Sequence, residues 1–176
     1  MNCPSCGAPM RLRPNEDSYT CDYCGAVYVP DKNADGVRVL GEASDQICPN
    51  CNTALVQAAV EKSRILYCTK CLGMLIPMPS FRGLIAALQV SQGASVTQPP
   101  ASTADLSKVL VCPNCHQHME THDYAGGGNA IIATCEKCLL NWLDHGELYR
   151  IVHAPDDANP ATISDLGGGS LYDGPV

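Results

Sequence analysis

Cys112-Pro113-Asn114-Cys115 is followed, after 19 intervening residues, by Cys135-Glu136-Lys137-Cys138. The arrangement occurs twice more. Cys3-Pro4-Ser5-Cys6 precedes Cys21-Asp22-Tyr23-Cys24 by 14 residues, and Cys48-Pro49-Asn50-Cys51 precedes Cys68-Thr69-Lys70-Cys71 by 16. These pairs use all 12 cysteines of the 176-residue chain. Two thiols three positions apart make poor structural disulfide partners but converge well on one metal ion. Two such pairs about 15–20 residues apart have the spacing of a four-cysteine zinc site. Three structural Zn2+ are therefore expected, one per unit, with iron the alternative because thiolates accept both.

The turn chemistry agrees. Pro4, Pro49 and Pro113 follow the first cysteine of a knuckle and pre-set φ. Gly7, Gly25, Asn52 and His116, residues tolerant of positive φ, follow the second. Leu72 and Leu139 break that pattern. Between the knuckles lie β-branched and aromatic runs that read as strands: Tyr19-Thr20, Val27 to Val29, Arg64 to Tyr67, and Ala130 to Thr134. Gly126-Gly127-Gly128-Asn129 reads as a turn. Leu, Ile, Val and Phe number only 37, too few for a large core. Metal binding would then supply folding energy, on the order of 10–16 kcal/mol per small zinc module.

The fold class expected is small, metal-stabilised and mainly β: three tandem zinc ribbons, with short helices after the second and third. The units are ribbon one over 1–40, ribbon two with its helix over 41–90, a flexible linker over 91–109, ribbon three with its helix over 110–154, and an acidic Gly-rich tail over 155–176. Residues 36–46 read as a short junction. Ser80 reads as a helix cap, ahead of Phe81, Leu84, Ile85 and Leu88 at i, i+3, i+4 and i+7.

The second knuckle of unit three continues Leu139-Leu140-Asn141-Trp142-Leu143-Asp144-His145-Gly146-Glu147-Leu148. This resembles the TFIIB-type zinc-ribbon family, in which a Trp-Leu-Asp-x-Gly-Glu-Leu stretch follows the second knuckle. Unit two looks like a degenerate copy, with Leu75 to Phe81 aligned on Trp142 to Leu148 and the acidic pair missing. The resemblance covers about residues 47–90 and 110–152, and the first unit resembles only a generic ribbon. It implies metal-stabilised modules whose ligands are the knuckle cysteines. Leu139 and Leu140 stand where the family usually has glycines.

Asp144 and Glu147, before Leu148, Ile151 and Val152, resemble a capping box, which would leave Trp142 to pack over a metal knuckle. The alternative makes Trp142, Asp144 and Glu147 a docking surface, extended in unit two by Phe81, Leu84 and Leu88.

Formal net charge is −7, and three sites of four thiolates around one dication would take it to −13. That is a poor footprint for phosphate backbones. No run of about 18 apolar residues spans a membrane, and Met1 to Cys6 has no secretory pattern, so a cytoplasmic chain is expected. There is no phosphate loop, nucleophile elbow or His-Glu-x-x-His, and each unit has a full set of four ligands. The function expected is non-enzymatic: an adaptor or accessory subunit that docks on a larger protein. Rivals are a transcription-associated module binding nucleic acid or RNA polymerase, and rubredoxin-like electron transfer.

Overall fold

The computed structural model describes residues 1–13, 16–33, 35–92, 106–124 and 130–154. It is mainly β, with two sheets and two helices named below. Strands β1 (Met10–Leu12), β2 (Tyr19–Cys21) and β3 (Val27–Tyr28) make a three-stranded antiparallel sheet in chain order. The larger sheet contains β4 (Val37–Ile47), β5 (Ala54–Val60), β6 (Ser63–Tyr67), β7 (Met74–Pro77), β8 (Glu120–Asp123), β9 (Ile131–Cys135) and β10 (Leu140–Leu143). Helix α1 (Met78–Gln92) follows β7, and α2 (Glu147–Val152) follows β10.

The strand order of the larger sheet is β4-β5-β6-β7-β10-β9-β8. Units two and three are thus one sheet, joined where β7 and β10 run antiparallel with Leu75 opposite Trp142 and Met74 opposite Leu143. Side chains alternate across it, as the period of two requires. On one face Ile65, Tyr67, Met74, Ile76 and Leu143 pack beneath the helices. Phe81, Leu84, Ile85 and Leu88 of α1, with Leu148, Ile151 and Val152 of α2, complete that core. On the other face Leu55, Leu75 and Trp142 cluster with cysteines of units two and three.

The small sheet rests on this second face. Met10 and Tyr19 pack against Leu40 and Ala59, and the Arg64 guanidinium donates to the carbonyls of Arg13 and Glu16. Lys32 pairs with Glu61 at 2.6 Å. Asn33 Oδ1 accepts the backbone N–H of Asp35 and Val37, turning the chain into β4.

Three expectations need correction. Residues 36–46 are not a junction: they form most of β4, so the boundary placed between 40 and 41 falls inside a strand. Val37 and Val39 alternate inward against Ala58 and Val60, and a register shift between Val39 and Ala43 accommodates Gly41 at φ +74°. The exposed polar stretch beyond it hid the strand from a reading of apolar periodicity. Ser80 does not cap α1, which begins two residues earlier; its hydroxyl donates to the Pro77 carbonyl at 3.1 Å. Leu72 and Leu139 do not break the knuckle pattern, since they take φ +61° and +54°. The turn over Gly126 to Gly128, most of the linker and the tail lie outside the described residues.

Candidate metal centres

The knuckles are alike in backbone. In five of them the residue after the second cysteine returns its N–H to the carbonyl of the first: Gly7 to Cys3, Gly25 to Cys21, Asn52 to Cys48, Leu72 to Cys68 and His116 to Cys112, all at 2.8–2.9 Å. Closing that turn requires positive φ, and the two leucines are held there despite their Cβ atoms. Each turn presents two sulfurs on one side.

The hairpins bring the pairs together. Cys3, Cys6, Cys21 and Cys24 form the first cluster; Cys48, Cys51, Cys68 and Cys71 the second; Cys112, Cys115, Cys135 and Cys138 the third. In each, all four sulfurs lie within 4.8 Å of one another. Neighbouring sulfurs are 3.5 Å apart for Cys6–Cys21 and 3.6 Å for Cys3–Cys24, Cys48–Cys71 and Cys115–Cys135. A disulfide would need about 2.05 Å. A tetrahedral dication with bonds of about 2.3 Å separates its sulfurs by about 3.8 Å. The four-sulfur sets therefore fit a metal ion.

Polar donors support the sulfurs. Cys48 Sγ accepts the Cys51 N–H at 3.3 Å, and Cys138 Sγ accepts Asn114 Nδ2 at 3.3 Å. Burial opposes ionisation of Cys68, but the N–H groups of Cys71 and Lys70, with the Thr53 hydroxyl, bring its pKa down to about 6. In the same cluster burial pushes Cys71 up to about 11. Likewise Cys115 falls to about 7, led by the Gln117 N–H, while burial pushes Cys112 up to about 12. Without a cation, then, burial keeps part of each cluster protonated. A bound dication is what lets four thiolates coexist.

The clusters differ in exposure. Cys6 and Cys24 are exposed, whereas clusters two and three contain only buried and half-buried cysteines. His116 and His118 join no four-sulfur set. His122 contacts the Thr134 hydroxyl, His145 faces Asp35 at 3.3 Å, and His153 bonds the Tyr149 carbonyl.

The residues expected as a docking surface are mostly internal. Trp142 is 1% exposed, and Phe81, Leu84 and Leu88 are buried under the helices. An amphipathic stripe in so small a module found its cover within the chain, in the joint sheet. Trp142 does pack over a metal knuckle, but that of unit two: a Cβ built on Gly73 would lie 2.3 Å from the indole Cζ2. Its Nε1 donates to Asp144 Oδ1 at 2.9 Å. The same carboxylate accepts Asn50 Nδ2 at 2.5 Å and Lys108 Nζ at 2.7 Å. Burial works against its charge, but Lys108, Trp142 and Asn50 outweigh it and hold Asp144 below the usual carboxylate range.

The capping box is half realised. Glu147 Oε2 accepts the Asp144 N–H at 2.6 Å, and Oε1 accepts the Ile131 N–H at 3.1 Å. The Asp144 side chain points elsewhere, and Gly146 occupies the cap with φ +84°. Burial, with the Asp144 charge alongside, pushes Glu147 up to about 7. Gly73, Asn50 and Lys108 were not singled out for these roles from the sequence. Their only local signals are a glycine after a knuckle and an asparagine inside one.

A family model described as a transcription factor zinc-finger, the TFIIB-type zinc ribbon, matches residues 47–78. That span holds the second cluster and ends where α1 begins. No curated protein and no solved structure matches the chain.

Proposed function

We propose that each cluster holds one structural Zn2+ through four thiolates, and that the chain is a cytoplasmic, non-enzymatic adaptor of three tandem zinc ribbons. The observation that carries this is the closure of all three four-sulfur sets at tetrahedral spacing. A four-thiolate site keeps no open position for a substrate, and its metal acts as a cross-link. The reading of units two and three as copies is supported by their geometry. The offset of 67 that carries Leu75 to its cross-strand partner Trp142 also carries Cys68 to Cys135 and Cys71 to Cys138. The adaptor reading is supported by the acidic charge and by apolar side chains left outside the core near clusters one and three: Tyr23, Val27, Val109 and Leu139.

Its test is co-purification of the tagged chain with and without nuclease, followed by reconstitution from purified components. A stoichiometric protein partner that survives nuclease and rebinds in isolation is the expected result. A second reading, a transcription-associated module, draws on the family match over residues 47–78 and on the exposed Lys62, Lys70 and Arg82 of that unit. Salt-dependent retardation of nucleic acid would establish it and overturn the first. Metal analysis and an absorption spectrum separate zinc from iron.

A further inference from the structure

We propose that clusters two and three take up metal as one cooperative pair, with Trp142 and Asp144 as the coupling residues, while cluster one loads on its own; this rests on the metal reading above. The two clusters share one packed core. Cys48 and Cys68 of the second and Cys112 and Cys135 of the third are buried around Leu75 and Trp142. Trp142 belongs to the strand that leaves cluster three, yet its ring lies on Gly73, in the knuckle of cluster two.

Asp144 makes the second tie. One carboxylate oxygen accepts from Asn50, which sits between Cys48 and Cys51, and from the Trp142 indole. The other accepts from Lys108, just ahead of Cys112. Emptying cluster two frees both of its knuckles, which removes Asn50 from Asp144 and the floor from under Trp142. The β10 strand, in which Leu140 is in register with Cys135, then keeps its ladder to β9 but loses these two supports at Trp142 and Asp144. Linkage makes the effect reciprocal: whatever cluster two does for cluster three, cluster three does for cluster two. Cluster one shares none of these groups. It packs on Leu40 and Ala59 in a separate core, beside its own sheet.

The test is native mass spectrometry of the full chain carrying Cys6→Ser and Cys24→Ser, equilibrated in chelator-buffered zinc, so that only the pair is counted. With independent, equal sites the one-metal form reaches about half at the midpoint, and a coupling of about tenfold lowers it to about a quarter. Asp144→Asn, which keeps the shape and removes the charge, is expected to raise the one-metal form back toward half. Gly73→Ala, read in the same way in the Cys6→Ser and Cys24→Ser chain, is expected to do likewise by lifting Trp142. A one-metal form of about half in the parent chain overturns the coupling, and an equal population with and without Asp144→Asn overturns the role given to Asp144. A chain that takes up no zinc overturns the metal reading instead.

Discussion

The Trp142 ring occupies the space that any side chain on residue 73 would need. Units two and three are therefore fitted to each other at one atom's tolerance, between a knuckle and a strand that lie far apart in the sequence.

Gly73→Ala is expected to destabilise the fold by about 1–3 kcal/mol, the usual cost of overpacking a closed core. The new methyl meets indole carbons held from both sides, so no flexible end can yield. Denaturant unfolding at saturating zinc measures it, and a change below a few tenths would show that the contact is loose.

Leu139→Gly should act in the opposite sense. Leu139 is 52% exposed and sits at φ +54°. Releasing an L side chain from the left-handed region gains about 1 kcal/mol, offset in part by glycine's entropy when unfolded. A rise in midpoint denaturant concentration is expected, and a fall would mean that the leucine packs on something that matters.

Glu147 gives a pH dependence of definite sign. Its folded pKa, raised to about 7 from an ordinary 4.5, means that the folded state binds its proton more tightly. The stabilisation from this group is complete below the unfolded value and is lost as pH rises through the folded one. Screening of this partly exposed group keeps the effect on the order of 2 kcal/mol. Glu147→Gln should remove that component, so the stability difference between the two chains should change from pH 5.5 to 8 with zinc in excess. A constant difference across that range would overturn the assignment.

Cluster one should be the first to react. Cys6 and Cys24 stand exposed where their counterparts in the other clusters are half-buried. Under limiting alkylation in chelator, mass mapping is expected to find Cys3, Cys6, Cys21 and Cys24 labelled before the other eight. Uniform labelling would mean that exposure does not govern metal loss here.

Much of this was legible in the sequence because cysteine spacing is a local property. All three clusters follow from knuckle pairs less than 20 residues apart, and Phe81, Leu84, Ile85 and Leu88 occupy the helix face that their spacing assigns. What was not legible depends on partners distant in the chain. Nothing local to Leu75 or Trp142 says that β7 and β10 pair edge to edge. For the same reason a packed Trp142 was the expectation, but the knuckle it covers could not be named, and an exposed Trp142 stood as the alternative. Asp144 misled because its spacing to Glu147 suits a cap, whereas Lys108, Asn50 and the indole together outbid one backbone N–H for its charge.

The central pairing of β7 with β10 also orders events during synthesis. Met74 to Pro77 leave the ribosome well before Leu140 to Leu143, by roughly 3 to 13 seconds at ordinary elongation rates. For that interval a buried strand of the finished protein is a bare edge with apolar side chains on both faces, the kind of template that recruits other chains. A nascent chain stopped between the two units would be left in that state, so fragments ending after α1 should aggregate where the complete chain does not.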